Sequence, residues 1–229
     1  VLTFDFIALR RFSLDDDSDV TLPNSQTFTG IVGGTYAVAE TPVTGWDLTS
    51  ATCDDGSPVS AIDLSAGEDV TCTFTNTQKG HIVVDKVTVP SGSLQSFDFV
   101  AGGTGYNNFS LTDAATPNDQ TLVPGSYSIS ETTPTGWDLT GTQCVSSLQD
   151  AEIAGSLELD PGETITCTFT NTVRGKILVT KQTLPDGDSA FFDFTSSYDA
   201  DGFILSDGQT NDSGYLIPGT YSVAETGEA

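Results

Sequence analysis

Apolar and polar residues alternate along most of this chain, in runs too short to make the apolar stripe of a helix. In "ILVTKQTLP" (177–185), Ile177, Val179, Lys181 and Thr183 share one parity, and Leu178, Thr180, Gln182 and Leu184 the other. A strand places successive side chains on opposite faces, so such a stretch predicts a β-strand. "IVVDKVTVP" (82–90) repeats the pattern, with Ile82, Val84 and Lys86 on one face. "YSISET" (127–132) sets Tyr127, Ile129 and Glu131 together against Ser128 and Ser130. "ITCTFTNT" (165–172) sets Ile165, Cys167, Phe169 and Asn171 against four threonines. The apolar parity is the inward one, so Lys86, Glu131 and Asn171 are expected inside. Asp98, in the repeated "FDF", has the parity opposite to Phe97 and Phe99 and is expected to face water.

The patterns recur in order. "YAVAETPVTGWDL" (36–48) returns as "YSISETTPTGWDL" (127–139) and begins again as "YSVAET" (221–226). "VTCTFTNTQKG" (70–80) returns as "ITCTFTNTVRG" (165–175), and "FDF" at Phe4, Phe97 and Phe192 is followed each time by an F-x-L signal at Phe12, Phe109 and Phe203. Tyr36 to Tyr127 is 91 residues and Val70 to Ile165 is 95, domain-sized rather than solenoid-sized. Short strands rich in Thr, Val, Phe and Tyr, broken by Gly, Pro, Asn and Asp, predict an all-β chain of tandem β-sandwich domains set end to end. The repeats are 1–79, lacking a first strand; 80–174, complete; and 175–229, truncated. Joints of almost no length at Gly80 and Gly175 predict a semi-rigid rod. The ragged ends predict either an excerpt of a longer repeat protein or open domains completed by strands from neighbouring subunits.

Seven Lys and Arg face 32 Asp and Glu, a net charge of −25. That charge argues against nucleic acid and anionic membranes as partners. No apolar run approaches transmembrane length.

Cys53 and Cys72 lie in the first repeat, and Cys144 and Cys167 at matching places in the second. Four cysteines allow three connectivities, and the repeat favours Cys53–Cys72 and Cys144–Cys167. Loops of that size are worth about 3 kcal/mol each when closed, and disulfides imply an oxidising, extracellular compartment. Zinc would need clustered ligands, and the single histidine, His81, stands apart from the cysteines; it reads as an exposed strand residue at a joint. Trp46 and Trp137 follow the glycine of "TGW"; an exposed pair could stack on sugars, but a core aromatic is the plainer reading.

Inward Lys86, Glu131 and Asn171 leave three readings open. Their tips reach water at strand ends; or they form a buried, hydrogen-bonded ion pair; or they react. Desolvation lowers a lysine's pKa and raises a glutamate's, so a neutral amine can attack the asparagine amide while the carboxyl polarises its carbonyl and shuttles protons. Ammonia leaves, and an isopeptide bond joins first strand to last.

Lysine in the first strand, Y-x-x-x-E-T followed by G-W, and asparagine in the last strand resemble the CnaB-type (SpaA-like, prealbumin-like) domains of bacterial surface adhesins and pilins. The resemblance implies an Ig-like, prealbumin-like sandwich in which lysine and asparagine are cross-linked with glutamate as catalyst. It implies those roles for Lys86, Asn171 and Glu131; the first repeat keeps Glu40 and Asn76, and the third keeps Lys181 and Glu225. The extra disulfide departs from the family pattern and could make the isopeptide redundant.

"LDDDSD" (14–19) and "YDADG" (198–202) cluster carboxylates at turns; neither is a complete calcium loop, and solvated turns are expected. Asn108 and Asn211 begin glycosylation sequons. No pattern for turnover chemistry, metal or cofactor stands out. The expectation is an extracellular, non-enzymatic structural protein, a stalk or head-to-tail filament whose partner is itself. The alternative is a carbohydrate- or calcium-dependent adhesin module of a larger secreted protein.

Overall fold

The computed structural model describes residues 4–16 and 21–228. Strand follows strand, and among the described residues there is no helix. The chain is all-β, with tandem sandwich organisation.

The fullest sandwich lies between Gly80 and Val173. One sheet orders Phe109–Leu111, Phe97–Gly102, Gly125–Thr132 and Leu157–Leu159, all antiparallel. The other orders Asn118–Leu122, Gly80–Val89, Thr164–Val173 and Trp137–Ser146. Its central pair, Gly80–Val89 and Thr164–Val173, is parallel. The first and last strands of the repeat are thus neighbours, which no hairpin could make them. The alternation read from sequence holds along both: Ile82, Val84, Lys86 and Thr88 are buried on one strand, and Ile165, Cys167, Phe169 and Asn171 on the other.

The core between the sheets joins Ile82, Val84, Phe97, Phe99, Ile129 and Phe169 with their neighbours. Phe99 stacks on Phe109 at 5.1 Å and meets Phe169 edge-on at 5.1 Å. Truncating a buried aromatic of this kind costs about 3–5 kcal/mol, so these rings hold the two sheets together around the polar groups beside them.

In the first repeat Arg11–Leu14, Phe4–Ile7 and Ala39–Glu40 form one sheet, Gly34–Tyr36 pairs Ile62–Leu64, and Trp46–Cys53 pairs Cys72–Gln78. Its F-x-L strand leads into the acidic stretch at Leu14. There the expectation of a solvated turn fails at Asp15, which is 5 % exposed. Its N–H bonds the Pro23 carbonyl at 3.2 Å, so the returning chain closes over it. Asp16 is exposed, and Asp17, Ser18 and Asp19 lie outside the described residues. In the third repeat Leu178–Thr180 pairs Thr210–Asp212, and Phe203–Leu205, Phe192–Ser196 and Val223–Glu228 form a sheet. "YDADG" there is a local turn in which the Asp201 N–H bonds the Asp199 carboxylate at 3.1 Å.

The joint at Gly175 is held on both sides. The Arg174 N–H bonds the Gly136 carbonyl at 2.8 Å, and Gly175 and Leu216 exchange backbone bonds of 3.0 and 2.8 Å. Gly136 has φ +84°, and a Cβ there would lie 2.8 Å from the Tyr215 ring. Only glycine tolerates both that backbone and that approach.

Candidate functional site

Three strands aim polar side chains into the apolar core at one level. Lys86 comes from Gly80–Val89, Glu131 from Gly125–Thr132 on the facing sheet, and Asn171 from Thr164–Val173. The Lys86 and Glu131 side chains have no solvent exposure, and Asn171 is fully buried. The strand-end reading, with polar tips in water, is therefore wrong for the middle repeat. The alternation continues to these positions because the facing sheet still covers them.

Lys86 Nζ donates to Asn171 Oδ1 at 2.9 Å, to the Val87 carbonyl at 2.8 Å and to the Phe169 carbonyl at 3.2 Å. All three ammonium donors have acceptors. The amine also sits 4.1 Å from the centre of the Phe97 ring and 3.6 Å from Glu131 Oε2. Asn171 Nδ2 donates to Glu131 Oε1 at 2.5 Å. Glu131 Oε2 is buried with no hydrogen-bond partner among the described residues. Glu131 therefore faces the amide nitrogen, not the amide oxygen expected from sequence. A lysine that only donates takes the carbonyl side, and a carboxylate that only accepts takes the NH2.

Burial pushes the Lys86 amine below the usual lysine range, against the opposing charge of Glu131 and, more weakly, of Asp113 and Asp85. Burial pushes the Glu131 carboxyl up, against the Asn171 hydrogen bond and the charge of Lys86. The two shifts narrow the gap between the groups, so passing a proton from amine to carboxylate costs less here than in water.

The other repeats hold parts of the same arrangement. In the first, Asn76 Nδ2 donates to Glu40 Oε1 at 2.6 Å. Burial raises the Glu40 carboxyl, with the Asn76 hydrogen bond opposing. Among the described residues the Cys72–Gln78 strand pairs only with Trp46–Cys53. In the third, Lys181 Nζ lies 3.0 Å from Glu225 Oε2 and 3.7 Å from the centre of the Phe192 ring; the lysine side chain is 14 % exposed and the glutamate 40 %.

The cysteines pair as Cys53–Cys72 and Cys144–Cys167. Each bond joins directly opposed residues of two already paired strands, tying the asparagine strand to the tryptophan strand. Trp137 packs edge-on against Phe97 at 5.3 Å, as a core aromatic. His81 Nδ1 lies 2.8 Å from Asp119 Oδ1. Asp98 is exposed and accepts a bond from Ser110 Oγ at 2.7 Å. The sequon asparagines use their side-chain oxygens internally, Asn108 from the Ala101 N–H at 2.8 Å and Asn211 from the Tyr198 hydroxyl at 3.2 Å.

Two features went unread in the sequence. Asp150, Glu152 and Glu163 come within 4.8 Å of one another. Hydrogen bonds tie this group to the chain: Glu163 accepts from Ser146 Oγ and the Asp160 N–H, and Glu152 from the Glu158 N–H at 3.1 Å. The second feature is a carboxylate just beyond each lysine strand. Asp113 accepts from the Thr88 N–H at 3.0 Å and from the Gly92 N–H. Asp207 accepts from the Thr183 and Gly187 N–H groups at 2.7 and 2.8 Å. A repeated F-x-L-x-D (Phe12–Asp16, Phe109–Asp113, Phe203–Asp207) was the signal.

The family model for the prealbumin-like fold domain matches residues 3–78 and 82–173. No curated protein matches the sequence. Among solved structures, the TIE protein of Bacillus anthracis is similar at 21 % identity over 97 % of this chain and 40 % of its own, with a TM-score of 0.36. The major pilin protein (T-13) of Streptococcus pyogenes is similar at 14 % identity over 75 % of this chain and 89 % of its own, TM-score 0.34. The pilus adhesin SpaC of Lactobacillus rhamnosus GG is similar at 18 % identity over 99 % of this chain and 33 % of its own, TM-score 0.33. The chain spans two fifths of the first of these structures. The two matched segments together cover most of the sequence, and the chain belongs to the family of prealbumin-like fold domains.

Proposed function

We propose that this chain is an extracellular structural protein of tandem sandwiches, 1–79, 80–174 and 175–229, whose middle repeat cross-links itself through Lys86 and Asn171. The observation that carries the reading is the fully buried contact of Lys86, Asn171 and Glu131. A buried ion pair adds little stability over a hydrophobic replacement, whereas a reacting lysine needs the desolvation this site supplies.

The bond exchange runs as follows. Lys86 passes a proton to Glu131, leaving a neutral amine. The Nζ lone pair attacks Asn171 Cγ; the Nζ–Cγ bond forms and the Cγ–Nδ2 bond breaks. Glu131, hydrogen-bonded to Nδ2, gives its proton to the departing nitrogen and takes the one the amine sheds. One ammonia leaves, and the carboxyl ends as protonated as it was before the attack.

Two disulfides suit an oxidising compartment. Its end-to-end repeats suit a stalk or filament at a cell surface, with further copies of such repeats as partners. The Glu40–Asn76 pair in the first repeat and the Lys181 strand in the third supply complementary halves of a site. The adhesin alternative draws no support from Trp137, which is spent on Phe97.

Intact mass of the reduced chain tests the reading. The wild type is expected to weigh one ammonia less than its sequence, and Glu131→Ala to restore the full mass; a wild type at full mass sinks the cross-link. Denaturing electrophoresis under reduction tests assembly, because a covalent ladder means Lys181 of one molecule bonded to Asn76 of the next.

A further inference from the structure

The half of the lysine strand that carries Lys86 has a partner strand on one side only. Thr164–Val173 runs beside it through Val89, but Asn118–Leu122 on the other side stops at Val84. Past that point the outer edge of Asp85–Val89 would offer its backbone to water or to nothing. There Asp85 Oδ1 accepts the Lys86 N–H at 2.9 Å, and beyond it Asp113 takes over. It lies between the Phe109–Leu111 and Asn118–Leu122 strands, where the chain crosses from one sheet to the other. Its two carboxylate oxygens take the Thr88 and Gly92 N–H groups, and Thr88 Oγ1 bonds the Pro90 carbonyl at 2.9 Å within the same loop. Asp207 repeats the grip beyond Lys181, with Thr183 Oγ1 on the Pro185 carbonyl at 3.1 Å.

We propose that Asp113 is a positioning residue for the Lys86–Asn171 bond: it holds the lysine-bearing end of the strand in register and sets a negative charge on the amine's side. The proposal rests on the cross-linking reading above. The Thr164–Val173 ladder fixes the strand on one side, and Asp113 holds its end from the other; Lys86 must reach across its neighbour to Asn171, so a small displacement of that end moves the amine off its target. Asp113 also belongs, with Glu131 and Asp85, to the carboxylates that favour the charged amine.

The test uses the full chain recovered unfolded and reduced from inclusion bodies at its full sequence mass, before any ammonia is lost, then returned to native conditions with a thiol–disulfide pair. Intact mass follows ammonia loss over time at several pH values. Asp113→Asn keeps one carbonyl acceptor but removes the charge. It is expected to slow ammonia loss by on the order of ten- to a hundredfold, the scale on which small misplacements act. It is also expected to move the acid limb of the rate–pH profile to lower pH, because the amine then loses its proton more easily. Asp113→Glu keeps charge and acceptors on a longer stem, so it should slow the reaction with the limb in place. Exposed Asp98→Asn should change neither. A slower Asp113→Asn with an unmoved limb reduces Asp113 to a residue that supports the fold and overturns the proposal, as does wild-type kinetics in that variant. A wild type that never loses ammonia overturns both the cross-link and this role; one that does, beside an indifferent Asp113→Asn, overturns the role alone.

Discussion

Lys86 and Phe169 stand directly opposite one another on neighbouring parallel strands, and the lysine amine reaches past the phenylalanine to the Asn171 side chain at 2.9 Å. The two strands are the first and last of the middle repeat. A pull applied along the chain enters by one and leaves by the other, shearing them past each other.

A covalent Lys86–Asn171 bond would carry that pull directly. The stretch between them, a sequence separation of 85, would then stay out of the force path. In single-molecule stretching, the wild-type middle repeat should add no length between those residues. With Cys144–Cys167 reduced, Glu131→Ala should release roughly 290 Å at about 3.4 Å per residue. Equal extension in both proteins would count against the bond.

Removing one member of the buried group should cost far more than replacing all three. Without the cross-link, Glu131→Ala leaves the Lys86 charge buried beside Phe97, a loss of about 3–5 kcal/mol. Lys86→Met, Glu131→Leu and Asn171→Leu together should recover most of that, because no member of the buried group is then left without a partner. Denaturant midpoints compare the variants. A triple variant no more stable than Glu131→Ala would show that the polar contacts themselves hold the sheets.

The Asp113 grip sets a pH window. Hydrogen bonds from Gly92 and Thr88 hold its carboxyl below the usual aspartate value. A depressed folded pKa means the stabilisation is complete above the unfolded value of about 3.9 and is lost as pH falls through the lower folded one. The Thr88 and Gly92 amide resonances should therefore titrate together below the ordinary aspartate range. Titration at or above that range would mean the carboxylate is not held.

Reducing Cys144–Cys167 should lower the stability of the middle repeat by about 3 kcal/mol without unfolding it. The bond spans residues already opposed in a ladder running from Trp137–Val173 to Ser146–Ile165. Loss of the fold on reduction alone, at room temperature, would make the disulfide the main staple.

Sequence by itself determined the parts that depend on local geometry. Period-two alternation is a property of each strand alone, so the inward faces of Lys86, Glu131 and Asn171 could be read before any strand was placed beside another. The repeat carried the same faces to Glu40, Asn76 and Lys181, and paired the cysteines. Tertiary structure decided what alternation cannot encode: that first and last strands lie parallel and adjacent, and that Glu131 meets the amide nitrogen while Lys86 takes its oxygen. It also decided that Asp15 is covered and that Asp113 grips the end of the lysine strand. Those residues sit in loops, where no periodicity constrains a side chain. Their partners are backbone groups outside any shared strand, the returning loop at Pro23 for Asp15 and the end of the lysine strand for Asp113, brought close only by the fold.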